Sequence, residues 1–196
     1  MTTGAFERVV RRAGARRAEA AEHCDLCSAP VSAGHRHLFD TQRGELMCAC
    51  RPCSLLFDRE AASEGHYRRV PERRLRLDPV PTEALGVPVG LAFFVMRADG
   101  TVAAYYPSPA GPTEWEVDQQ AWRDTVDRCP ELAGLETDVE ALLINTARDQ
   151  QQYWIAPIDD CFRLVGVVRR EWKGLSGGST VWPEIERFFA ELQERR

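Results

Sequence analysis

Cys24-Asp-Leu-Cys27, His35-Arg-His-Leu-Phe-Asp40, Thr41-Gln-Arg-Gly44 and Glu45-Leu-Met-Cys-Ala-Cys50-Arg-Pro-Cys53 follow one another near the start of the chain. Two short strand-like runs flank a turn that ends in Gly44, which predicts a β-hairpin. A C-x2-C pair stands on each side of that hairpin, in the spacing C-x2-C-x20-C-x-C-x2-C. Each C-x2-C turn presents two thiols on one side of a tight knuckle. A hairpin that brings two knuckles together closes a tetrahedral shell of four sulfurs. The expected ligands are Cys24, Cys27, Cys50 and Cys53, the expected module is a zinc ribbon, and the expected metal is zinc. Metal binding, at about 10–16 kcal/mol in small zinc modules, folds a hairpin with little core of its own.

The same spacing serves iron in a rubredoxin-like centre, and spacing alone does not separate the two metals. Both knuckles are followed by Ser (Ser28, Ser54) rather than the Gly usual in the iron modules, which favours zinc. Redox exchange through a single dithiol is the weaker reading, because that chemistry uses one pair at a strand-to-helix junction. Three nearby residues stay open as substitute or supplementary ligands. Cys48 shares a strand face with Leu46 and Cys50, and His35 shares one with His37. Cys48 reads first as a small apolar neighbour of the metal, and the histidines as outer partners of the cysteines.

The wider chain fits this reading. It has 196 residues, 44% of them apolar, a net charge of −5, seven Cys and four His. That is one domain, or one domain plus a small module, with enough apolar residues for a core, which excludes a wholly disordered protein. The longest apolar run, Val89 to Met96, is far too short to span a bilayer. With no apolar leader at the Arg-rich N-terminus, the expected compartment is the cytoplasm, where clustered thiols stay reduced and serve metals before disulfides. All four His and five of the Cys lie in the first 66 residues, whereas all five Trp lie after position 114. Residues 1–77 carry a net charge of +4 and residues 78–196 one of −9. The expected organisation is therefore an Arg-rich helix or tail (1–22), a zinc-ribbon-like module with a basic connector (23–77) and an acidic α+β domain (78–196). Of 25 basic residues only Lys173 is Lys, an Arg enrichment that reads as codon bias. A solvated helical face accounts for the N-terminal arginines, and nucleic acid is not the expected partner.

After Cys53, Leu55, Leu56 and Phe57 are expected to pack the module, and Arg68 to Pro79 to run extended, since prolines keep helix out. Thr82 to Leu85 reads as a helical turn. Strands are expected at 89–96 and 101–106 around Asp99-Gly100, the best hairpin signal in the chain. Pro107, Pro109, Gly111 and Pro112 read as a stiff loop, and Asp118 as the N-cap of a helix over 119–128 that stops at Pro130. Val139–Asn145 and Tyr153–Ile158 read as strands. A helix from Asp159 to Gly174 and a last one over 181–194, with Val181, Ile185, Phe188, Phe189 and Leu192 on one face, complete an α+β fold: a zinc-ribbon-like hairpin module, then a small antiparallel sheet packed with helices.

No catalytic constellation emerges. Gly174-Leu-Ser-Gly-Gly178 matches the pattern of a nucleophile elbow, but no His follows position 66 to act as base. Asp159 and Asp160 read as helix caps, Cys129 and Cys161 as structural thiols, and Trp115 as a candidate exposed anchor for a partner.

The segments Cys24–Cys27, Leu46–Phe57, Tyr67–Pro71, Pro88–Phe94, Tyr106–Gly111 and Asp138–Leu143 resemble a bacterial family of unknown function, often encoded beside the structural and maturation genes of uptake nickel-iron hydrogenases. The resemblance runs from about residue 24 to the final helix. It implies a context of assembly, maturation or electron delivery for a metalloenzyme, with a hydrogenase subunit or maturation factor as protein partner. Beside the cysteine spacing and the lack of a catalytic constellation, the expected function is that of a non-catalytic zinc-binding accessory protein. A rubredoxin-like iron electron carrier is the alternative, and a nucleic-acid-binding zinc ribbon a further one.

Overall fold

A computed structural model describes residues 22–57, 66–174 and 178–195. The Arg-rich segment expected at 1–22 lies outside them but for Glu22, as do residues 58–65 and Leu175 to Gly177. The described residues fall into two compact units divided between Arg69 and Val70. Both are built on antiparallel sheets, and with four α-helices among the described residues the fold is α+β.

The first unit holds the expected hairpin. Strand β1 (Arg36–Asp40) pairs antiparallel with β2 (Glu45–Ala49), from Asp40 opposite Glu45 to Arg36 opposite Ala49. The turn is shaped by Asp40, whose Oδ1 accepts the N–H groups of Gln42 (3.0 Å) and Arg43 (3.1 Å). Gly44 closes it at φ 68°, a left-handed conformation that costs glycine nothing. A short helix, α1 (Arg51–Leu55), follows β2, and a third strand, β3 (Tyr67–Arg69), pairs with β1 to give the order β2-β1-β3. The basic stretch read as a connector thus begins as a strand of this sheet. Leu38 and Ala49 are wholly buried beside Cys24. Leu55 and Leu56, expected to pack the module, are 56% and 66% exposed. The helical phase of α1 turns Ser54 inward in their place, its hydroxyl donating to the Arg51 carbonyl at 2.9 Å.

The second unit is a six-stranded sheet with helices on both faces. Its strands are β4 (Leu75–Arg76), β5 (Leu91–Met96), β6 (Val102–Ser108), β7 (Gly111–Trp115), β8 (Glu140–Asn145) and β9 (Gln152–Pro157), in the order β4-β9-β8-β5-β6-β7. Central β5, apolar along its length, and β8, apolar from Ala141 to Ile144, are buried because both of their faces are covered. On one face Phe94 stacks on Trp122 of α2 (Gln119–Arg128) with ring centroids 5.7 Å apart. On the other, Phe93 meets Phe162 of α3 (Ile158–Glu171), and α4 (Val181–Glu194) packs on α3. Asp118 caps α2 by accepting the Gln120 N–H, and α4 buries the five residues expected of it.

Three expectations are corrected here. Pro107 to Pro112 is the bend of a hairpin: β6 continues to Ser108 and pairs with the edge strand β7, Pro107 opposite Pro112. Proline is tolerated there because the pairing of β6 with β5 ends at Tyr105, so no partner needs the missing N–H. Trp115 is half-buried against Phe94 and Tyr106 and is not an exposed anchor. Asp160 does not cap a helix. It is buried and accepts Arg74 Nε at 2.6 Å, with the Arg163 guanidinium 3.2 Å away. Glu140, wholly buried, is held likewise by Arg73, with Nε to Oε1 at 2.8 Å.

Candidate metal centre

Local backbone geometry makes both knuckles. In the first, Cys24 N–H donates to the Ala29 carbonyl (2.8 Å), and Ser28 N–H turns back to the Cys24 carbonyl (2.7 Å), with Ser28 at φ 59°. In the second, extended Cys50 precedes α1, and Ser54 N–H donates to the Cys50 carbonyl at 2.9 Å. Pro52 sits in the first turn of α1, where its missing N–H has no partner to lose. Asp25 then stitches the knuckles together. Its N–H donates to the Cys48 carbonyl (2.8 Å), and its Oδ2 accepts the Cys48 N–H (2.6 Å). The first Cys pair is thereby fastened to β2 two residues before the second pair.

The result is that Cys24, Cys27, Cys50 and Cys53 bring their sulfurs within 4.8 Å of one another. Cys27 and Cys50 sulfurs are 3.7 Å apart. A tetrahedron with metal–sulfur bonds of about 2.3 Å has an edge of about 3.8 Å, whereas a disulfide needs about 2.05 Å. The donor set therefore fits a tetrahedral thiophilic ion, and these four cysteines can hold a metal ion. Cys24 is buried and Cys27 exposed, so the cluster lies at the surface of its unit. Burial pushes the Cys24 thiol up, but the N–H groups of Cys50, Leu26 and Cys27 outweigh it and bring it down to about 6. Cys53 is pushed up to about 12, chiefly by the Cys50 and Cys27 thiols beside it. One thiolate thus forms readily, and further negative charge accumulates only if a cation joins the cluster.

Cys48, His35 and His37 are not part of this set. A sulfur and two ring nitrogens from these three converge within 4.8 Å of one another as a group of their own. The reading that made them substitutes or outer partners of the four cysteines missed this. The signal was present in the turn: pairing Asp40 with Glu45 and counting back sets His37 opposite Cys48.

The remaining candidates carry no chemistry of this kind. Cys161 is fully buried, and its thiol is held well above the usual range by that burial. Cys129 is pushed up to about 11 by burial and then by Glu131, which its thiol approaches at 3.4 Å. Ser176 of the Gly-rich stretch lies outside the described residues. Leu26, Leu55 and Leu56 are the large apolar side chains left exposed among the described residues, and each lies within three residues of a cysteine of the cluster. No helix among the described residues is long and apolar enough to cross a membrane.

Comparison with known proteins returned no match among curated proteins and none among solved structures. One family model matches residues 23–196, a span that covers both units and begins one residue before the first knuckle. The chain accordingly belongs to the Family of unknown function (DUF5947).

Proposed function

We propose that this chain is a non-catalytic, zinc-binding accessory protein that works by contact with another protein in the reducing environment of the cytoplasm. One observation carries the reading: the cysteine cluster and the exposed leucines belong to the same small elements. Leu26 lies inside the first knuckle, and Leu55 and Leu56 follow the second at 56% and 66% exposure. A metal that fixes the two knuckles also fixes where those leucines stand. The metal is a structural brace, and the apolar side chains beside it are the contact. Zinc is the metal of this reading because the position after the second knuckle is a buried, hydrogen-bonded Ser54 within α1. The partner we assign, on the family resemblance alone, is a nickel-iron hydrogenase subunit or a maturation factor.

Metal analysis of protein expressed without metal bias tests the first part. Zinc bound through the four cysteines is the expected result. Stoichiometric, reversibly reducible iron with a visible thiolate spectrum would overturn it and make the chain an electron carrier. For the partner, tagged chain recovered from its own host should bring hydrogenase components with it. The Leu55→Glu/Leu56→Glu variant should lose them while keeping its metal. A deletion strain with fully mature, active hydrogenase would refute the assignment.

A further inference from the structure

The geometry points to a second metal site in the first unit, formed by His35, His37 and Cys48, that binds a zinc ion through two imidazoles and one thiolate and leaves one coordination position for water or an exchangeable ligand. It lies on the opposite face of the hairpin from Leu38. His37 and Cys48 are direct cross-strand partners, so their side chains project from the same face, and His35 precedes β1 two residues before His37. The three ligand atoms lie within 4.8 Å of one another, and the two imidazole rings have centroids 4.5 Å apart.

A second observation, independent of that convergence, comes from His35. Its side chain is 5% exposed, and its Nδ1 lies 2.8 Å from the Ser32 carbonyl oxygen and 3.4 Å from Glu22 Oε2. A carbonyl oxygen only accepts, so Nδ1 carries the proton, and Nε2 of the neutral ring is a lone pair. Among the described residues that Nε2 is buried with no hydrogen-bond partner. A buried acceptor without a donor is costly, and the usual occupant of such a lone pair in a His/Cys cluster is a metal ion. The bond from Nδ1 to a backbone carbonyl is also what orients a ligating histidine and sets its tautomer.

The donor set decides the class of ion. Two imidazole nitrogens and one thiolate suit a borderline-soft cation and not magnesium or calcium, which take oxygen. Three protein ligands with an open fourth position distinguish this site from the four-sulfur shell, which is closed. Asp25 connects the two, since its amide and carboxylate both hold the Cys48 backbone while Cys24 precedes it in the chain. The second site stands on its own ligands and does not depend on which metal occupies the four cysteines.

Reduced full-length chain equilibrated with buffered free zinc should bind two ions. His37→Ala and Cys48→Ser should each bind one. Cobalt(II) in place of zinc separates the sites, because thiolate-to-metal charge-transfer intensity follows the number of sulfurs, four in one site and one in the other. The variants should therefore lose only the weaker, single-thiolate component. One ion per wild-type chain with a four-sulfur spectrum, or two ions retained in both variants, would overturn the second site. A single ion with a one-sulfur spectrum that disappears in His37→Ala would sustain it and overturn the four-cysteine reading instead.

Discussion

Removing the metal from the four cysteines should unfold the first unit and leave the second intact. The first unit has little else to hold it. Its wholly buried apolar side chains among the described residues are Leu38, Ala49 and Cys24. Burying a leucine contributes about 1.5–3 kcal/mol and each further carbon-sized group about 0.8, so these three together supply about 4–5 kcal/mol. A structural zinc contributes about 10–16 kcal/mol, about two to four times as much. Hydrogen exchange read by mass spectrometry resolves the consequence. In the reduced, chelated chain, peptides spanning residues 36–49 should exchange at least about 10³-fold faster, the factor corresponding to about 4 kcal/mol at 1.4 kcal/mol per decade. Peptides spanning residues 140–157 should be unchanged. Tryptophan fluorescence is an internal control, since all five Trp belong to the second unit. Hairpin peptides that stay protected after complete removal of metal would refute the argument that the metal outweighs the core.

Three other outcomes follow from the second unit. Arg73→Ala strands the carboxylate of Glu140, which is wholly buried and would keep the Glu136 N–H at 2.9 Å but lose its paired cation; a loss of about 3–5 kcal/mol is expected in urea unfolding. The double variant Arg73→Leu/Glu140→Leu should recover much of that loss, and additive costs would contradict the ion-pair account. Gly90→Ala should destabilise by about 1–3 kcal/mol, because Gly90 sits at φ 68° and an added Cβ would stand 2.7 Å from the Ala147 nitrogen; an unchanged melting temperature would count against that geometry. For Cys129, pushed up to about 11 by burial and by Glu131, alkylation should climb with pH through about 11 instead of near 9, since only the thiolate reacts. Because that folded value is raised, the stabilisation tied to the neutral thiol is complete below pH 9 and is lost as pH rises towards 11. Peptide mapping of iodoacetamide adducts against pH checks it, and half-maximal labelling near 9 would contradict the half-buried, acid-flanked environment.

What the sequence determined by itself was local. The two C-x2-C pairs, the Thr41 to Gly44 turn, the Asp99-Gly100 hairpin, the Asp118 cap and the apolar face of α4 each depend on residues within a single turn, knuckle or helix, and all five reappear in the structure as spacing and turn chemistry require. Tertiary structure decided whatever needs a partner distant in the chain. Asp160 looks like a cap until Arg74, 86 residues away, is found beside it. Prolines 107 and 112 look like a loop until they pair across a sheet edge that asks nothing of their nitrogens. Leu55 and Leu56 look like core until the phase of a five-residue helix turns Ser54 inward and leaves them in water. The histidines and Cys48 look like spare ligands for one site until strand register places them together on their own. The physical reason is the same in each case: a side chain's type sets what it can do, and only packing and register set what it faces.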